Sequence, residues 1–148
     1  MEKVIEVRHL SKSFGSHEVL KDINFAVNKG EVVCIIGASG SGKSTLLRCL
    51  NLLEKPDGGE VYYKGENILD DRHDVYAYRA RLGMVFQQFN LFNNHSVLSN
   101  CVVAQRKVLK RPAEEAGEIA MKYLKVVGME QFIHARPRQL SGGQKQRV

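Results

Sequence analysis

A chain of 148 residues is long enough for one domain with a real core and too short for two ordinary ones. Its 43% hydrophobic and 26% charged residues lie near the globular average, which excludes wholesale disorder. Twenty-two Lys and Arg against sixteen Asp and Glu leave a net charge of +6, suited to nucleic acid, an anionic membrane face or a phosphorylated ligand, and charge alone does not choose among them.

The N-terminus, MEKVIEVRHL, carries charges where an export signal would be apolar, and the longest apolar run, Val32 to Ile36, is far too short to span a bilayer. Val4 to Val7, then Ile23, Phe25 and Val27, alternate with polar neighbours, which predicts a small antiparallel β element over residues 1–30. Asn28-Lys29-Gly30 is a turn signal. Val32 to Ile36 are continuously apolar and mostly β-branched, the pattern of a central strand covered on both faces. A helix is predicted from about Ser44 to Leu53, ended by Lys55-Pro56-Asp57-Gly58-Gly59. A strand near Val61 to Tyr63, a helix from about Asp74 to Leu82 and a strand from Met84 to Phe86 follow.

Pro112 to Val127 reads as an amphipathic helix, with Glu114 and Glu115 at the positive end of its dipole and Gly128 to close it. Ala116, Ile119, Ala120, Tyr123 and Val127 line its expected core face. A last helix begins near Gly143. Strand-like and helical runs thus alternate, as in an α/β fold whose parallel sheet is covered by helices. No repeat, low-complexity tract or linker interrupts them. Cys34, Cys49 and Cys101, widely spaced and without a C-x-x-C pair, read as reduced packing residues of a cytosolic protein.

GASGSGKST, Gly37 to Thr45, fits the phosphate-loop pattern in full and sits between a predicted strand and a helix. Gly37, Gly40 and Gly42 let the chain turn tightly, so that backbone N–H groups, including those of Ala38, Ser39 and Ser41, surround an anion. The helix start adds unpaired N–H groups and a positive dipole end. Lys43 brings a charge to the β and γ phosphates, the Ser44 hydroxyl can ligate Mg²⁺, and Thr45 caps or contacts phosphate. Phe14 could present its ring to a base. The closing Leu140-Ser141-Gly142-Gly143-Gln144 resembles a second phosphate-binding helix terminus, with Ser141 as N-cap.

GASGSGKST followed by LSGGQ roughly a hundred residues later resembles the ATP-binding subunit of ABC transporters across the whole chain. LNLLEKPDGGE, GMVFQQFNLF and YLKVVGM look like the subunits that serve bacterial uptake of polar amino acids. The resemblance implies a P-loop NTPase core with a parallel sheet over residues 31–87, preceded by the antiparallel element and followed by a helical region, 88–148, that carries the signature motif. It implies that Gly37 to Thr45 hold ATP and Mg²⁺, that Phe14 stacks on adenine, and that Gln87, favoured over Gln88 by its register after Val85-Phe86, touches Mg²⁺ and the attacking water. Ser141, Gly142, Gly143 and Gln144 would meet the γ-phosphate held by a second ATP-binding subunit in a head-to-tail dimer. Gln87 to His95, exposing Phe89, Leu91 and Phe92, would receive membrane permease subunits, with a solute-binding protein acting indirectly and no nucleic acid involved. The implied location is the cytoplasmic face of a bacterial membrane.

One departure stands out. The family pattern continues to an apolar strand ending in Asp-Glu, the Walker B element, and to a switch histidine; neither is found, and Asp70-Asp71 lacks a preceding apolar strand. The expectation is an incomplete domain, lacking the C-terminal part of the fold, that binds ATP and hydrolyses it slowly, because a carboxylate acting in the transition state is missing. The strand at Val32 to Ile36 would then keep an unpaired apolar edge. The alternative is a regulatory module that pairs with a complete ATPase subunit; a nucleic-acid-linked ATPase would need a basic block or long insertion that the chain lacks.

Overall fold

The computed structural model describes residues 2–148, which divide between Gly83 and Met84 into two compact units. The first is built on a hairpin. Strand β1, Lys3–Phe14, and strand β2, His17–Asn28, pair antiparallel, with Phe14 opposite His17 across the turn at Gly15 and Ser16. Gly15 adopts φ 61°, the left-handed value such a tight turn requires. Strand β3, Gly58–Tyr63, joins the other edge of β1, and the short β4, Glu66–Asn67, completes the order β2-β1-β3-β4.

Where β1 bulges, His9 takes φ 51° and its N–H donates to Asn24 Oδ1 at 2.8 Å. The opposing chain passes so close that a Cβ on Gly59 would lie 2.5 Å from the His9 carbonyl oxygen, so only glycine fits there. Helix α1, Lys43–Leu50, and helix α2, Val75–Ala80, add Leu46, Cys49 and Tyr78 to a core with Val7, Leu10, Leu20, Val61, Tyr63 and Ile68. Tyr78 ties the two helices: its hydroxyl donates to the Leu50 carbonyl at 2.5 Å, and burial pushes its pKa up to about 12.

The second unit is helical. Helix α3, Val97–Lys107, packs against helix α4, Ala113–Val126, and two single turns, Glu130–Phe132 and Pro137–Gln139, lead to helix α5, Gly142–Arg147. Val97, Leu124, Met129 and Leu140 form its core.

Three expectations are corrected. Among the described residues the sheet is wholly antiparallel, and Val32 to Ile36 and Met84 to Phe86 belong to no strand. Val32 is 89% exposed, Ile36 93% and Val85 99%. Their composition favours extended chain, but a strand exists only through a ladder to a neighbour, and no described residue supplies one. On α4 the buried stripe is Ala116, Ala120 and Leu124, spaced by four; Val127, at the C-terminal cap, packs against the same core as expected, and Tyr123 points to solvent. Helix α3 has no counterpart in the predicted elements. Of the three cysteines Cys49 is buried and Cys101 half-buried, whereas Cys34 shares the exposure of its segment.

Candidate functional site

The glycine loop lies in the first unit, beside the hairpin. Gly42, at φ 90°, would bring a Cβ within 2.9 Å of Val19 Cγ1 and 3.2 Å of Leu20 Cδ2, so the loop rests its last residue directly on β2. Gly40 also has a left-handed φ of 80°, with open space around it. Between them the Ser41 N–H donates to the Ala38 carbonyl at 3.2 Å, and a Cβ on Gly37 would meet Ser41 Oγ at 2.7 Å. The loop is therefore tightly closed at its two ends.

Lys43 curls over this loop. Its Nζ donates to the carbonyls of Gly37 at 2.8 Å and Ala38 at 2.7 Å. That holds one positive charge above the loop, beside the start of α1. The N–H groups of a helix's first turn have no acceptor within the helix. At α2, α3 and α5 the side chains of Asp74, Ser96 and Ser141 accept from such groups; α4 has no side-chain cap but carries Glu114 and Glu115 in its first turn, and α1 follows Gly42 with no side-chain cap. No acidic residue occupies its first turn either. A glycine-rich turn, an uncapped helix start and a positioned ammonium together fit a polyphosphate. Ser44 is exposed at that start and Thr45 is half-buried.

Phe14 ends β1 with an exposed ring, and the Lys12 ammonium stands 5.2 Å from its centroid. No sequence motif marks the surroundings of that ring. Asp57 Oδ2 accepts from the Ser13 N–H at 2.6 Å, and its Oδ1 accepts from Lys12 Nζ at 3.1 Å. Those two bonds, the Ser13 one foremost, hold the Asp57 carboxyl below its ordinary value. The Pro-Asp-Gly-Gly run reads as a helix terminator; its second task is visible only once β1 and β3 lie side by side.

The remaining expected residues lie in the second unit. Gln87 and Gln88 are exposed in a bend outside any element. Beyond them, Asn100 pins the segment to α3: its Oδ1 accepts from the Phe92 N–H at 2.8 Å, and its Nδ2 donates to the carbonyls of Phe92 and Ser96. Phe89 and Phe92 stay exposed. Ser141 caps α5 in a reciprocal box, its Oγ accepting from the Gln144 N–H at 3.3 Å while Gln144 Oε1 accepts from the Ser141 N–H at 2.8 Å. Gly142 and Gly143 are exposed, with nothing near a would-be Cβ.

A family model described as ABC transporter matches residues 20–148. The chain belongs to the ABC transporter family. It is 50% identical over 145 residues to the arginine transport ATP-binding protein ArtM of Bacillus subtilis, covering 98% of this chain and 60% of that protein. Against the glutamine transport ATP-binding protein GlnQ of Geobacillus stearothermophilus the identity is 48%, with the same coverage. The histidine/lysine/arginine/ornithine transport ATP-binding protein HisP of Escherichia coli is 43% identical, with 99% and 62% covered. Among solved structures, the ATP-binding cassette MJ0796, a dimer bound to ADP and Pi in a post-hydrolysis state, superposes with a TM-score of 0.84 at 36% identity, covering 97% of this chain and 66% of that one. The α/β cassette fold is thereby established, and the chain spans about three fifths of the length of the curated relatives it matches. No described helix is long and apolar enough to cross a membrane.

Proposed function

We propose that this chain is the nucleotide-binding part of an ABC importer's energy-coupling subunit, serving uptake of a polar amino acid. The observation that carries the reading is the uncapped start of α1 beneath the Lys43 ammonium, framed by Gly37, Gly40 and Gly42. Backbone N–H groups from Gly37 to Thr45 would take the ATP phosphates, Lys43 would lie against the β and γ groups, and the Ser44 hydroxyl would face Mg²⁺. Bound Mg²⁺ would neutralise phosphate charge. Phe14 would present its ring to adenine, with Asp57 holding the backbone beside it. Gln87 would complete the metal side and report to permease subunits along Gln87 to His95, where Phe89 and Phe92 offer apolar contact.

Ser141, Gly142, Gly143 and Gln144 would serve the nucleotide of a second subunit. The dimeric state of the MJ0796 cassette supports such a pairing. The named substrates of ArtM, GlnQ and HisP support an amino acid cargo, and with permease subunits as partners the chain would take a peripheral place on the cytoplasmic face of the membrane. No apolar run ending in Asp-Glu occurs among these residues, so these residues bind ATP and release phosphate slowly. Isothermal calorimetry with Mg-ATP tests the reading. Binding by the parent and its loss in Lys43→Ala support it; a folded parent that ignores Mg-ATP ends it. Steady phosphate release as fast as that of a full-length relative would end the statement about turnover alone.

A further inference from the structure

The second unit carries a feature that nucleotide binding leaves unused. Helix α3 ends in Arg106 and Lys107, and the link to α4 continues Val108-Leu109-Lys110-Arg111. Cations at a helix C-terminus are ordinarily explained by the dipole they face. Two observations exceed that explanation. Val108 and Leu109 sit at the tip with 55% and 48% of their surface exposed, where a solvated turn would carry polar residues. The four cations also converge on one cleft of about 690 Å³ between α3 and α4, whose apolar wall is Leu98, Val102 and Val103.

Charge in that cleft is one-sided. Arg111 donates to Gln105 Oε1 at 2.8 Å and lies 3.7 Å from Glu115, which holds its guanidinium in place. Among the described residues no carboxylate pairs with Arg106, Lys107 or Lys110. An aliphatic tip ringed by unpaired cations matches an anionic amphiphile: phosphate against the basic ring, hydrocarbon against Val108 and Leu109. Single-stranded nucleic acid would instead call for aromatic rings on which bases stack, and the tip has none.

We propose that Arg106 to Arg111 form a docking tip for anionic phospholipid, seating this unit on the membrane surface independently of nucleotide and of any protein partner. The contact is separable from ATP binding, since it needs neither Lys43 nor the glycine loop. The test is sedimentation of the full 148-residue chain with vesicles of about 30% phosphatidylglycerol in phosphatidylcholine, without nucleotide. At roughly one fivefold step in partition per cation near the surface, K107A/K110A should lower the partition coefficient about 30-fold. V108S/L109S should lower it about tenfold. Calorimetry on the same samples should find Mg-ATP affinity unaltered in both variants. For the parent, raising salt should weaken the phosphatidylglycerol-dependent part steadily, a readout that needs no variant to fold. Equal partition onto pure phosphatidylcholine overturns the proposal. So does a partition that ignores both double variants, or single-stranded RNA bound more tightly than the vesicles and lost in K107A/K110A alone.

Discussion

Gly42 and Ser141 hold the same position, each the last residue before a helix, and they do opposite things there. Ser141 completes its helix from within, exchanging bonds with Gln144 in both directions. Gly42 offers no side chain and leaves the start of α1 open beneath Lys43. The strain is also distributed oppositely: Gly42 is wedged against Val19 and Leu20 at φ 90°, whereas Gly142 and Gly143 stand in open space. The function proposed above matches that contrast: the turn assigned to an anion is packed against β2 and leaves its helix start without a side-chain cap, and the turn assigned to a partner's ligand is capped and accessible.

The largest effect expected from this contrast is on stability at Gly42. Gly42→Ala must hold a left-handed backbone and push into β2, which should cost about 3 kcal/mol in urea unfolding, while Gly143→Ala should change stability by less than about 1 kcal/mol in either direction. Equal costs at the two sites would erase the distinction. Next comes Lys43→Ala, expected to weaken Mg-ATP about 30-fold in calorimetry through the loss of charge-assisted bonds, with little change in unfolding because its bonds go to exposed loop atoms, the Gly37 and Ala38 carbonyls and the Ser41 hydroxyl. Ser141→Ala should do the reverse, costing about 1 kcal/mol of stability through the lost cap and leaving the affinity of the isolated chain for Mg-ATP unchanged.

The smallest effect concerns Asp57, which supports Phe14 from outside the loop. Its carboxyl titrates below the ordinary 3.8 in the folded chain, so its contribution is present above that value and disappears as pH falls through the lowered one. The difference in thermal midpoint between the parent and Asp57→Asn should therefore be constant at neutral pH and close as the solution is acidified below 3.8. A gap that widens with acid would assign the shift to another group.

Local chemistry was legible in the sequence, and partnership was not. The glycine loop, the Ser141 cap and the hairpin of β1 and β2 each declare themselves within a dozen residues, because the constraint is a turn, a cap or an alternation. Helix α3 is not legible in the sequence because Val97, Val102 and Val103 are β-branched and Ser99 and Asn100 favour caps; Ser96, which accepts from the Ser99 N–H, is the one signal of its start. On α4, spacing alone did not separate Tyr123 from Leu124, and contact with Met129 and Val97 in one core decides for leucine. Val32 to Ile36 and Met84 to Phe86 have the composition of buried strands, yet a strand is a relation between two segments, and composition describes one. Lys12, Asp57 and Val19, which frame Phe14 and Gly42, are brought there by strand register, which no motif encodes.

The open stretch after Gly30 bears on how the protein behaves in a tube. Four of its five residues from Val32 to Ile36 are β-branched, and its backbone is in no ladder. Glu31 and the glycine at 37 are its only nearby gatekeepers, so concentrated samples should zip together through this run and turn cloudy with age. A lysine in place of Ile36 should keep them clear.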